Sequence, residues 1–373
     1  MNEDQLALFD AIIQHQAYLY RLSTQAVNDV YSGYSDKSSA FALQLRTLLD
    51  ELTDSEKTLL SQAQYTTPTL KEVRDLINQW QDDATNSMQT SFATSGAALS
   101  AYEISYTAKL YQSAIKESIV NGTYKKIVKL PMAGGALIDQ LFLGVLQPTR
   151  NAVENAIRDG INTGKTNYDI IKNIRGYDKT IDGNKVHFDG ILDRAKPEIE
   201  KLVRTSRSHI SNQSYLETYK QIGVEYVKFI SVIDGRTSKL CAGLDGTVWA
   251  INDQNKRVPP LHYHCRSVIV PVSKDGELPS VRPYVMDNRA VKNIPKDERD
   301  GKIGNVDSNV TFVDFFNNRA SKEFQMEWLG ATRYKLYSEG KLSITKFFDP
   351  QGGFYTINEL RVLDNKVFKS LGL

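Results

Sequence analysis

Cysteine is nearly missing from this chain: only Cys241 and Cys265 occur in 373 residues. A secreted scaffold stapled by several disulfides is therefore excluded, and two cysteines in a chain expected in a reducing cytoplasm read as thiols or ligands. Net charge is also low, at +2 from 46 basic and 44 acidic side chains. Strong overall attraction to nucleic acid or to a membrane surface does not follow from it. No apolar run approaches the length that spans a bilayer. The start, Met1-Asn2-Glu3-Asp4, lacks a basic and apolar leader pattern, so export through a signal peptide is not expected. Catalytic signatures are absent too: there is no H-E-x-x-H, no phosphate-cradling glycine loop and no G-x-S-x-G elbow. What is present is ordinary globular composition, 41% hydrophobic and 24% charged, in a chain long enough for two or three domains.

Proline is nearly absent from the first 120 residues, and that stretch reads as long helices. From Leu6 to Tyr31 apolar residues recur at helical spacing, through Phe9, Ile12, Ile13, Leu19, Tyr20, Ala26, Val27 and Val30. Ser32-Gly33-Tyr34-Ser35 predicts a break, followed by helices over about 39–64 and 70–102. Residues 1–60 hold nine acidic and four basic side chains, which suits either a solvated hairpin or a docking arm. The small residues and proline at 128–135 mark a domain edge. Helix resumes with Pro148 near its start, then at Tyr168–Ile174 up to Gly176. Residues 177–190 read as a loop or small hairpin. A longer helix runs from near Lys196 to Gln221, with His209 as a core histidine beside its apolar face. Strands are predicted from Val224 to Ile233, after the Asp245-Gly246 turn, and from Arg266 to Val272. Residues 274–310 read as an extended linker, and short helices return over 311–373. The fold class is thus α+β and predominantly helical: an N-terminal helical arm (1–130), a central helical subdomain with a small β-sheet (131–273), the linker and a C-terminal helical segment.

The densest chemistry lies in one block. Cys241 is followed by Pro259-Pro260-Leu261-His262-Tyr263-His264-Cys265-Arg266, a C-x20-H-x-H-C pattern. Thiolates and imidazoles converging on one point are what tetrahedral Zn²⁺ needs. Strand parity argues against a simple extended segment, because His262 and His264 would share one face and Cys265 the other. A turn at His264-Cys265 is required for a complete site. Bound zinc, a metal-free structural knot and a disulfide all remain open from the residues alone. Arg236 and Arg266 flank the block and are candidates to pair with Asp234 or Asp245.

Asp234-Gly235-Arg236-Thr237-Ser238, Cys241, Leu244-Asp245-Gly246, Pro259-Pro260-Leu261-His262 and Cys265-Arg266 together resemble the core motif of the Mu F-like, or SPP1-type, phage head morphogenesis proteins. His264 takes a position often held by asparagine there, so the resemblance favours Cys241, His262 and Cys265 as the shared cluster. The likeness extends upstream through 160–175 and Arg204-Thr205, and downstream to Trp328–Tyr337 and 347–360. It implies that 131–273 is the head morphogenesis domain, and that Asp234, Arg236, Thr237, Asp245, Gly246, Pro260 and Arg266 brace the motif. It also implies a minor capsid protein at the portal vertex, inside the virion and in the host cytoplasm during assembly. The portal protein, major capsid or scaffolding protein and phage DNA are the implied partners, with binding rather than turnover as the task. Lys196, Lys201, Arg204 and Arg207 on the long helix are candidate phosphate contacts. Residues 161–230 hold twelve basic and nine acidic side chains, so a solvated helix face also accounts for them. The rival readings are a virion-packaged metal-dependent nuclease and a nonspecific DNA-binding protein.

Overall fold

The computed structural model describes residues 3–278, 280–349 and 352–373, with side chains from His15 and from Leu22 onward. Met1 and Asn2, and the side chains of Phe9, Ile12, Ile13, Leu19 and Tyr20, lie outside that description. Helices α1 (Glu3–Glu51), α2 (Asp54–Ser61), α3 (Pro68–Leu110), α4 (Glu117–Ile127), α5 (Ile138–Asn162) and α6 (Asn167–Arg175) come first. The hairpin β1 (Tyr177–Ile181) and β2 (Asn184–Phe188) follows, then α7 (Lys196–Gln221). Next come β3 (Tyr226–Ile230), β4 (Ile233–Asp234), α8 (Lys239–Leu244), β5 (Val248–Ala250) and β6 (Val268–Val272). The chain closes with β7 (Val281–Val285), β8 (Ile303–Asp307), α9 (Phe312–Asn318), α10 (Lys322–Leu329), α11 (Ala331–Ser338), α12 (Ile357–Leu363) and α13 (Asn365–Ser370). The predominantly helical α+β class is borne out.

The chain divides into two compact units. One, formed by Tyr20–Tyr102 and Gly122–Ile210, is a helical body carrying the β1–β2 hairpin. Its core includes Trp80, which stacks on Phe41 at 4.8 Å between ring centroids and donates its indole N–H to Ser38 Oγ at 3.1 Å. The predicted break at Gly33 does not occur, and α1 runs straight through it. A Cβ built on Gly33 would lie 2.4 Å from Ser87 Oγ, so glycine here permits close approach of α1 to α3 rather than a turn. Pro148 is likewise not at a helix start: α5 begins ten residues earlier and contains it. Pro148 and Gly144, four residues before it, are both exposed, so water can replace the backbone bond that proline forfeits.

The other unit comprises Met1–Leu19, Glu103–Asn121 and Ser211–Leu373. It holds an antiparallel sheet in the order β5-β3-β6, with Phe229 opposite Ile269. A second sheet has the order β4-β7-β8, with β4 and β7 parallel. Where the sequence reads an extended linker, the chain therefore makes β7 and β8. Within Val281-Arg282-Pro283-Tyr284-Val285 only Arg282 is buried, and its arginine and proline hide a strand whose partners are distant. The aromatic run of α9 and Trp328 of α10 fill a core with Phe347, Leu360 and Phe368. Helix α7 is buried on most of its circumference, beyond the single apolar stripe expected. Asn212 on that helix accepts from the Ile269 amide at 3.2 Å, tying it to β6.

Candidate metal centre

The Cys–His block folds onto the junction of three short elements. Thr237 and Ser238 lead into α8, and Ser238 Oγ accepts the Cys241 amide at 3.2 Å as an N-cap. That cap places Cys241 in the first turn of α8, with its side chain turned into the interior. On the other side, Pro259 and Pro260 are buried and lead into a turn in which the Cys265 amide donates to the His262 carbonyl at 3.2 Å. His264 sits in the left-handed region at φ 58°. This is the turn that strand parity demanded, and it brings His262 and Cys265 to the same side.

The donor atoms of Cys241, His262 and Cys265 converge within 4.8 Å of one another. Cys241 Sγ lies 3.6 Å from Cys265 Sγ and 3.2 Å from His262 Nε2. Two thiolates on one tetrahedral zinc stand about 3.8 Å apart given Zn–S bonds near 2.3 Å, so the spacing fits the ion with little adjustment. His262 Nδ1 donates to the Tyr263 carbonyl at 2.7 Å, which fixes the tautomer and turns the Nε2 lone pair toward the sulfurs. Both sulfurs are buried, at 2% and 5% residue exposure. The cluster can thus hold a metal ion. Ser238 Oγ, 2.8 Å from His262 Nε2, was not among the expected site residues. The N-cap preference of a serine before α8 was the signal that could have found it. His264 lines the same small cavity, of about 20 Å³, together with Ser238, Arg236 and Ser267, but it is not one of the three convergent donors.

The charges of the cluster are coupled. Cys241 accepts or donates against Cys265, and the resulting bias raises the Cys241 thiol, with burial adding to it. Cys265 is lowered by the same Cys241 contact, helped by His262 against burial. His262 is raised by its bond to Cys265, which outweighs burial. One sulfur is thereby held ready as a thiolate, the form a metal requires.

The braces form around Asp234 rather than between Arg236 and Asp245. Asp234, 1% exposed, accepts Arg266 Nη1 and Nη2 at 2.6 and 2.8 Å. It also takes the Arg236 amide and Nη2, each at 3.0 Å, and Thr237 Oγ1 at 3.2 Å. Burial opposes the Asp234 charge, and Arg266 then Arg236 more than offset it, holding the carboxyl below its usual range. Asp245 pairs instead with Arg282, a residue not foreseen, at 3.0 and 3.2 Å. It also accepts the Ser231 and Phe312 amides at 2.7 and 2.6 Å. Gly246 turns at φ 86° and donates its amide to the Phe229 carbonyl, returning the chain to β5.

The four candidate phosphate contacts are not gathered into an open basic face. The Lys196 ammonium lies 4.9 Å from the Tyr31 ring centroid, Lys201 pairs with Glu198, and Arg204 pairs with Glu200 at 2.8 Å and also reaches Ser23. Arg207 is part-buried.

A helix-rich α+β chain with a Cys–His–Cys cluster clamped between a capped helix and a turn is the class these observations define. Residues 151–270 match the family model described as Phage Mu protein F like protein, a segment that contains all three convergent donors and both aspartate braces. The resemblance read from the motif is borne out over that segment. No curated protein and no solved structure matches the chain.

Proposed function

We propose that this is a minor capsid protein of a tailed bacteriophage that sits at the portal vertex inside the head. It acts in procapsid assembly and in packaging or ejection of DNA by binding and placement, not by turnover. The observation that carries this reading is the family match over 151–270, together with the Asp-Gly-Arg-Thr to Cys-Arg motif inside it. Portal protein and major capsid or scaffolding protein are its expected partners, and packaged DNA its further neighbour. Mass spectrometry of purified proheads and mature heads, with cross-linking to the portal protein, tests it. Detection at a few copies with portal cross-links supports it, and absence from both kinds of particle overturns it.

We further propose that the cluster binds Zn²⁺ as a structural ion. Cys241, His262 and Cys265 would hold it, and the cavity of about 20 Å³ leaves room for one small fourth donor such as water. When bound, the ion would fix the α8 end to the His262–Cys265 turn. Elemental analysis of protein purified without chelator should find about one equivalent of zinc, and Cys265→Ser should lose it. Replacement by Co²⁺ should give sulfur-to-metal charge-transfer absorption. Protein that is folded at pH 7 with well under half an equivalent, and no such absorption on adding Co²⁺, overturns the zinc reading while leaving the capsid reading in place.

A further inference from the structure

Lys239 and Arg333 are drawn to one aromatic ring without an acid to answer them. Lys239 is the first residue of α8, and its ammonium lies 3.4 Å from the Trp328 ring centroid and 5.9 Å from that of Phe354. It also donates to the Trp328 carbonyl, near the end of α10. Arg333, on α11, holds its guanidinium carbon 4.7 Å from the Phe354 centroid, and its Nη2 donates to the Tyr355 carbonyl at 3.0 Å. Its Nε is shut away from solvent and has no hydrogen-bond partner among the described residues. Neither side chain makes an ion pair among those residues, although both are only partly buried.

The contacts present explain part of this arrangement. A lysine at a helix C-terminus satisfies a carbonyl, and ring faces attract both cations. They do not explain why two like charges share Phe354, or why a guanidinium N–H is screened from water with no acceptor, a costly state for a charged donor. An oxyanion between them would remove both costs. Arginine presents Nε–H beside an Nη–H as a flat fork that matches the two oxygens of a carboxylate. The ammonium retains donors beyond the one given to Trp328. The aromatic rings suit a planar group better than a tetrahedral one, and the unanswered Nε donor of Arg333 beside the Lys239 ammonium suits a single negative charge.

We propose that Lys239 and Arg333, across Phe354, form a binding site for a carboxylate. Its donors are distinct from the three sulfur and imidazole donors of the metal cluster, and the site does not depend on the capsid reading. The test is titration of the full chain with sodium acetate against sodium chloride at fixed ionic strength, followed by tryptophan fluorescence. Trp328→Phe identifies the signal of the indole under Lys239, since Trp80 and Trp249 are the other two tryptophans. Acetate should give a saturable change that chloride does not. Arg333→Lys keeps a cation on Phe354 and deletes Nε, so it should fold and bind at least tenfold more weakly, while Lys239→Gln should weaken binding as well. No saturable change in the wild type, or equal affinity in Arg333→Lys, overturns the site. Saturation by inorganic phosphate but not by acetate overturns its assignment to a carboxylate.

Discussion

Asp245 and His209 are both buried and both titratable, and their surroundings treat them in opposite ways. The Asp245 side chain has 0% exposure and meets a two-point fork from Arg282 plus two backbone amides. His209, 3% exposed, has a backbone bond involving Ile127, and its Nε2 has no partner among the described residues. Burial dominates there and pushes the imidazole down to about 4, so it is neutral at pH 7. The difference lies in oriented partners, which Asp245 has and the His209 Nε2 lacks, and in the motif unit most of them come from stretches distant in sequence, β7 and the start of α9.

The largest effect should come from breaking the Asp245 side of this contrast. Arg282→Met removes the fork and leaves a carboxylate in the interior. A loss of about 3–5 kcal/mol in unfolding free energy is expected, read from urea denaturation at pH 7. Arg282 also donates to the Ser231 carbonyl, which joins β4's approach to β7 and adds to the loss. A loss below about 1 kcal/mol would mean that Asp245 needs only its backbone donors. Replacing Asp245 by Asn in the same chain should recover part of the loss, because the orphaned charge is then gone.

His209 offers the opposite experiment, with pH in place of a partner. Its folded pKa lies below the usual imidazole value near 6.5, so its contribution is present above that value. It is lost as pH falls toward 4, because the unfolded chain then binds a proton that the fold refuses. From pH 7 to pH 5 the cost is about 2 kcal/mol, and it approaches about 3 kcal/mol by pH 4. Stability curves of His209→Leu should be flatter by that amount over the same range, whatever the variant's absolute stability. Parallel wild-type and variant curves would show that the imidazole is charged in the fold after all.

These two residues also mark what the sequence could reveal. His209 was readable as a core histidine because helix periodicity is local, as were α7, the 177–190 hairpin and the strands β3, β5 and β6. The cluster of Cys241, His262 and Cys265 was readable because its spacing and the surrounding motif lie within one block. Arg282 was not, since it lies in a polar stretch with prolines that reads as linker, and only β4 and β8 make it a strand. Gly33 and Pro148 misled for a related reason: each signals a break by its own chemistry, whereas the neighbouring Ser87 and the exposed face of α5 determine what it does. The pairing of Arg236 with Asp234 rather than Asp245 follows from a turn only a few residues long, in which the Asp234 carboxylate also accepts the Arg236 amide.

Asp234 lies between the two extremes and should give the smallest effect. It is as buried as Asp245, but its arginines are not: the Arg266 and Arg236 side chains are 22% and 42% exposed. Removing Arg266 leaves Arg236, its amide and Thr237 in place, and solvent can reach the gap. Arg266→Gln should therefore cost about 1–2 kcal/mol at pH 7. The sign with pH is fixed by the lowered carboxyl: its stabilisation is present above the usual aspartate value near 3.9 and lost as pH falls through the lower folded value. The gap between wild type and Arg266→Gln should hold from pH 7 to about 4.5 and close below about 4, where a protonated Asp234 no longer needs the guanidinium. Measuring it in the His209→Leu background separates the two titrations, since the imidazole acts from pH 6.5 downward and the carboxyl only below about 4. A gap that instead changes above pH 6.5, where the raised His262 imidazole titrates, would assign the coupling to His262 beside the cluster, and Asp234 would then be held by its backbone turn more than by charge.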